Sequence, residues 1–421
     1  MTSRSDLNGL AKRVSGDITR SVPQWAEMQK RIPFKQRAKI GSEYEELLVL
    51  RRPQGVTFAS TTAGTIYALS DARAPKTEPA RVSGAEIIMR DQLSYGAAAS
   101  AEKAGPAAYE SAVAEILLGL HEAHRFYLEA MMLYGRSPDG IGRIDTGGVS
   151  GAGTTRAWII NEQQWAPGLW SQAENAVLDV FDNSGGTQRN TNAQVVVVSV
   201  DVPTRTVNVS GNATDLTAIV AGDMIVFRTT DTQAFYGADA ICRNTGTLFN
   251  ISASTYGLWK ANTSNVGNQP LTLQAAHQAI TAAAVRGGLG NMVCLLNTYS
   301  WQDLIDDQGA LRRFKDSQKA EYVQGAESIK FYGSNGGVLE FVPHPMVKTG
   351  DAFGFCIDDW MRGGESDITN RLPGTDSADD FFHEIPNYAG FEVRNFSSQF
   401  MLCKRPARQV KLYNILPRAF S

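Results

Sequence analysis

The chain has 421 residues, 43% hydrophobic and 20% charged, which is the balance of a folded globular protein and not of a disordered one. That length exceeds one simple core, so two or three packed units are expected; with no run of 18 apolar residues and no apolar stretch in "MTSRSDLNGLAKRVSGDITR", neither a helical membrane span nor a secretory signal is expected. The net charge is only −3, yet residues 1–42 carry nine Lys or Arg against three acids, a basic arm of +6 in front of a body of −9.

Lys12, Arg13, Arg20, Lys30, Arg31, Lys35, Arg37 and Lys39 make up most of that arm, with Pro23 and Pro33 as breaks. Such a patch suits phosphates or acidic surfaces, and equally the acidic body of a neighbouring copy. Residues 43–100 read as extended: "YEELLVLRRPQGVTF" and "GTIYALSDARAP" run out, and "KTEPARVSGAEIIMRDQLSYG" returns. A long two-stranded arm is at best marginally stable alone, so it needs a surface to lie on, and a neighbouring copy of the chain is a candidate.

Residues 106–134 give the strongest helix signal. Pro106 stands in the first turn, Gly135 follows the end, and Val113, Leu117, Leu120, His124, Tyr127, Met131 and Tyr134 recur on one face. At 1.5 Å per residue this is a spine about 43 Å long. "GRIDTGGVSGAGTT" (142–155) reads as a flexible connector. Residues 190–255, which include "AIVAGDMIVFR", read as a small β-rich insertion of short strands and turns. Helix and strand then alternate: a helix capped by Thr272 and stopped at Gly287, a buried strand "NMVCLLN", a short helix starting near Ser300, and a hairpin turning at Ser334–Gly337. The C-terminal "GFEVRNFSSQFMLCKRPARQVKLYNIL" is strand-like again.

Residues able to do chemistry are sparse. "HEAHRFYLE" (121–129) holds His121, Glu122, His124 and Glu129, but the histidines are three apart where a zinc-protease helix needs four, and packing is the favoured role. "GGVSGAG" has no Lys-Ser/Thr after it, and no Gly-x-Ser-x-Gly elbow exists. Cys242, Cys294, Cys356 and Cys403 form no CxxC and read as buried thiols. Asp358–Asp359 and Asp379–Asp380 read as solvated loop pairs, and Trp158, Trp165 and Trp170 as packing residues. No catalytic residue, metal site or cofactor is expected.

The order of features resembles the major capsid protein of tailed bacteriophages, the Johnson fold, over most of the chain. "TEPARVSGAEIIMRDQLSYGAAA" is similar to the returning limb of that family's extended E-loop and residues 106–134 to the spine helix of its peripheral (P) domain. "RGGLGNMVCLLNTYSWQDLIDDQGALRRF" is similar to the core of its axial (A) domain, and the C-terminal strands to those that return to the P domain. The resemblance implies an α+β fold in five parts: arm 1–42, E-loop region 43–100, P domain 101–160, A domain 161–375 with the insertion at about 190–255, and a C-terminal return 376–421. It also implies a non-enzymatic subunit that builds pentamers and hexamers of an icosahedral shell around double-stranded DNA. A bacterial encapsulin-like compartment is the alternative. Implied partners are other copies of the chain, a separate scaffolding protein, a portal, a decoration protein and non-specific DNA, in a virion assembled in the host cytoplasm. Within the extended loop, Arg51, Arg52, Arg73, Lys76 and Glu78 would make contacts between neighbouring copies. No Asn or Glu partner matches Lys76, so no covalent cross-link is expected.

Overall fold

A computed structural model of the protein describes residues 26–61, 64, 66–94, 106–307, 329–333, 335–370, 382–385 and 390–420. Lys12, Arg13, Arg20 and the Asp379–Asp380 pair lie outside these residues. The described chain opens with a one-turn helix α1 (Glu27–Arg31), strand β1 (Phe34–Gln36), then β2 (Tyr44–Arg51), β3 (Lys76–Val82), β4 (Ala85–Ser94) and the long helix α2 (Pro106–Tyr134). The helix has the bounds that its apolar period predicts. Leu117, Leu120, His124, Met131 and Tyr134 are buried as expected, but so are Phe126, Leu128, Met132 and Leu133. The last turns are therefore enclosed on all sides and not on one face. The helix stops where Gly135 approaches another backbone so closely that a Cβ would lie 2.3 Å from the Phe235 carbonyl oxygen.

Next come β5 (Gly142–Ser150), β6 (Thr155–Ile160), β7 (Val177–Phe181), β8 (Val195–Asp201), β9 (Thr206–Ser210) and β10 (Met224–Phe227), which close a six-stranded barrel in the order β10-β5-β6-β9-β8-β7. This corrects two expectations. The stretch 142–155 is no connector but the β5–β6 hairpin. Its glycines serve a bulge and a turn: the β5–β6 register shifts between Ile144 and Val149, and Gly147 and Gly151 have φ of 71° and 93°. The β-rich unit also begins some fifty residues earlier than expected and takes only three of its strands from 190–255, which holds no full barrel by itself. Alternation sends Trp158, Ile160, Val195, Val197, Val207 and Val209 inside the barrel.

Beyond the barrel lie α3 (Ala238–Cys242), the small hairpin β11 (Thr247–Leu248) and β12 (Ile251–Ser252), β13 (Asn262–Gln269), α4 (Leu273–Val285), β14 (Met292–Leu296), α5 (Thr298–Asp306), β15 (Ile329–Tyr332), β16 (Val338–Pro343), β17 (Ala352–Phe355), β18 (Trp360–Thr369), β19 (Phe382–Glu384), β20 (Gly390–Cys403) and β21 (Val410–Ile415). Thr272 caps α4 through Ala275 N–H, as expected. The cap of α5 is Asn297 and not Ser300, because the chain turns into the helix directly from β14 and the Asn297 side chain accepts from Tyr299 N–H.

A six-stranded mixed sheet runs β13-β21-β17-β14-β16-β15. Every residue of β14 is buried, since one face packs under α4 and the other against the main core. A five-stranded sheet is centred on the fourteen-residue β20, which pairs with β18 and β19 on one side and β4 on the other, while β1 adds to β18. Helix α2 packs on β4 and β20. The C-terminal return thus divides: β20 joins the sheet under the spine helix, and β21 sits inside the six-stranded sheet between β13 and β17.

Candidate assembly surfaces

The ribbon β2–β3 stands in register from Tyr44 opposite Val82 to Val49 opposite Thr77. One side is tied to its own chain. Leu48 and Leu50 pack on the core, Arg81 N–H donates to Phe249 O at 3.1 Å, and the Tyr256 hydroxyl donates to Glu78 at 3.2 Å. Arg51 donates to Thr255 O at 3.1 Å, with its guanidinium 5.1 Å from the Tyr256 ring centre. Lys76 pairs with Glu78 at 2.9 Å, and this ammonium holds the half-buried Glu78 carboxyl below its ordinary value. Of the residues expected at contacts between copies, Arg51, Lys76 and Glu78 therefore engage their own chain. Arg73 joins Gln54 through the backbone and Arg52 is exposed.

Beyond Gln54 and Arg73 the loop braces itself: Ser70 N–H donates to Thr57 Oγ1 at 2.7 Å, and Ser70 Oγ donates to Val56 O at 3.0 Å. Its apolar side chains then face solvent. Phe58 is 95% exposed, Ile66 98% and Leu69 84%. Leu47 and Val49 on the outer face of the ribbon are exposed as well. Between Gly55 and Asp71 there is no charged residue.

The described part of the basic arm lies on its own chain. Arg31 donates to both Glu340 oxygens, at 3.1 and 3.0 Å, Arg37 meets Glu46 at 3.6 Å, and Lys39 meets Glu365 at 3.5 Å. Lys30 pairs with Glu27 at 3.7 Å, and Lys35 is exposed on β1. Glu129 of α2 anchors this arm from below, accepting from Met28 N–H at 2.8 Å and Gln29 N–H at 3.2 Å.

A buried ion cluster, which the sequence did not disclose, joins α2, α3 and the six-stranded sheet. Lys411 of β21 touches Asp239 of α3 and lies 3.0 Å from Asp351; Arg243 bonds Asp139, just past α2. Lys348 Nζ donates to Gln164 Oε1 at 2.7 Å and Gly140 O at 3.0 Å. Burial opposes the charge on Asp239, but Lys411, Arg243 and Lys348 outweigh it and hold that carboxyl well below its ordinary value. Burial pushes Lys348 down to about 8, against the pull of Asp239 and Asp351. The cluster borders a polar cleft of about 450 Å³ that includes Asp139, Gln164, Arg243 and Asp351. Acid and base answer each other inside it, so its work is to hold elements together.

The other sequence candidates do not converge. His124 is enclosed against Ser397 Oγ at 2.8 Å, and burial takes its imidazole down to about 3. Glu129 turns to the arm and to His344 instead. Trp158, Trp165 and Trp170 are buried, and the last two stack at 6.2 Å. Asp359 pairs with Arg408 at 3.0 Å. The four cysteines are free and buried. Among the described residues no helix is long and apolar enough to cross a membrane.

No protein-family model and no curated protein sequence matches the chain. Its fold does match solved structures. The cyanophage A-1(L) capsid asymmetric unit aligns at 12% identity over 94% of this chain and 94% of that one, with a TM-score of 0.50. The capsid of a native GTA particle aligns at 8% identity over 93% and 91%, with a TM-score of 0.46. The holo-SrpI encapsulin complex from Synechococcus elongatus aligns at 9% identity over 94% and 89%, with a TM-score of 0.38. The class is therefore set at the level of architecture: the chain has the α+β fold of a phage capsid protein.

Proposed function

We propose that this protein is the structural subunit of an icosahedral tailed-phage shell, assembling as pentamers and hexamers around double-stranded DNA. The observation that carries the reading is the exposed, charge-free loop tip with Phe58, Ile66 and Leu69, standing on a chain of phage-capsid fold. A patch of that kind on a soluble chain calls for a partner. Burying each of these side chains on another copy would stabilise the contact by about 1.5–3 kcal/mol. The contribution is modest per copy, but it is repeated at every position of a closed shell.

In this reading the β2–β3 ribbon and its loop, residues 44–82, are the E-loop, α2 and the five-stranded sheet are the P domain, and the six-stranded sheet with α4 and α5 is the A domain. The barrel is an inserted unit between spine helix and A domain. The arm cations of residues 30–39 mostly face carboxylates of their own chain, which supports a fastening role for this part, leaving Lys12, Arg13 and Arg20 for DNA or a neighbouring copy. The protein's work is assembly and not catalysis. A separate scaffolding protein, a portal and a decoration protein complete the partner set, and the shell forms in the host cytoplasm.

Negative-stain electron microscopy of the purified chain, alone and with a candidate scaffold, tests this. Uniform closed particles tens of nanometres across are expected. Small oligomers under both conditions would overturn the shell reading, and protein cargo in place of DNA would move it to an encapsulin-like compartment.

A further inference from the structure

Strand β4 leaves one edge of the five-stranded sheet open. Among the described residues it pairs with β20 alone, and no other segment bonds to its outer backbone. The other outer strands of that sheet, β1 and β19, have three residues each, but β4 has ten. A long open edge is a template for another strand.

The side chains along this edge fit a second copy of themselves. Ser397 stands opposite Ile87 and meets His124 of α2 at 2.8 Å, so Ile87 and Met89 lie on the helix side of the sheet and Glu86, Ile88 and Arg90 on the other. These three are exposed, Ile88 by 58%. Laid antiparallel on itself about Ile88, the edge sets Glu86 opposite the second copy's Arg90 at both ends and Ile88 opposite Ile88 in the middle. On the helix side it sets the half-buried Ile87 opposite the half-buried Met89.

Within one copy these charges are poorly answered. The cross-strand neighbour of Arg90 is Arg394, whose own acid is Glu392, and among the described residues Arg90 makes no ion pair. Glu86 meets Lys39 at 4.0 Å, but Lys39 lies closer to Glu365, at 3.5 Å. Asp91 is on the helix side, where its Oδ1 accepts from Gln92 N–H at 2.7 Å, and it would stand opposite the second copy's uncharged Ala85.

We propose that the β4 edge pairs antiparallel with the β4 edge of a second copy, about a two-fold axis at Ile88, so that two five-stranded sheets become one continuous sheet. The inference rests on the shell reading and adds a contact to it. Because the contact is isologous it closes after two copies, so it joins a subunit of one ring to a subunit of the adjacent ring.

A charge swap tests it. Glu86→Arg and Arg90→Glu each set like charges across the axis and should lower the yield of closed particles at least tenfold, with the unfolding midpoint kept. The double variant Glu86→Arg/Arg90→Glu restores opposite charges and should return the yield to near wild type. Separately, the four native thiols are buried, so mild oxidation of Ile88→Cys reads the engineered thiol. A covalent dimer is expected on non-reducing gels, with no higher ladder. Normal yield from both single variants, or a double variant as poor as the singles with no covalent dimer, would overturn the edge pairing and leave the shell reading standing. A wild-type chain that forms no particles would overturn the shell reading, and the Ile88→Cys dimer in solution would still decide the edge.

Discussion

Glu129 of the spine helix and His344 of the turn after β16 meet at 3.0 Å, both enclosed by protein. His344 Nδ1 accepts from Met346 N–H at 3.2 Å, so the ring's proton sits on Nε2 and is donated to Glu129. The same carboxylate takes the Met28 and Gln29 N–H groups. One acid thus couples the spine helix, the arm and the six-stranded sheet.

Replacing that acid should free the arm. Glu129→Ala leaves buried donors without acceptors and is expected to cost about 2–4 kcal/mol. Urea unfolding would measure the loss, and limited trypsin digestion should cut at Lys30 and Arg31 well before the rest of the fold opens. Unchanged digestion would show that the anchor lies elsewhere.

Removing the loop tip should separate folding from assembly. Residues 56–70 can be deleted without touching β3, which starts at Lys76 and carries the buried Ala80. That variant should keep the wild-type unfolding midpoint within a few degrees and yield no closed particles by electron microscopy. Normal particles would remove the loop from assembly.

The buried cluster and a surface pair should differ sharply in energy. Lys411→Met leaves Asp239 and Asp351 enclosed without their shared cation and is expected to cost about 3–5 kcal/mol. Lys404→Met, which breaks a half-exposed 2.7 Å pair with Glu46, should cost at most about 1 kcal/mol. Chemical denaturation of both variants makes the comparison.

His124 should make stability fall in mild acid. Its folded-state value of about 3 lies below the ordinary 6.5, so between those values the unfolded chain binds the extra proton. Stability is whole above about pH 6.5 and declines below it, by about 2–3 kcal/mol for this group at pH 4.5. The depressed carboxyls of Asp139 and Asp239 act only at lower pH, below their ordinary 3.8. Burial, with Arg125 beside it, takes His121 down to about 4, so it adds to the same window. His124→Gln should therefore remove about half of the slope between pH 6.5 and 4.5, and a profile as steep as wild type would assign the slope to His121 and other groups.

Local features were legible where local physics decides them. The bounds of α2, the Thr272 cap and the all-buried β14 each follow from side-chain period or a single hydrogen bond. The hairpin at 142–155 was not, because its glycines read as slack when they serve a bulge and a left-handed turn that only strand pairing reveals. Asp239, Asp351 and Lys411 gave no signal at all. They stand far apart in sequence and meet only when α3 packs against β17 and β21.

By itself the sequence determined the spine helix, the extended charge-free loop and the basic arm, since each is written in contiguous residues whose period, length or charge has direct physical meaning. The tertiary structure alone decided that six strands close a barrel, that the C-terminal strands part between two sheets, and which acid holds which base. Those outcomes depend on pairing between distant segments, whose partners are chosen by the burial and registry of the whole chain.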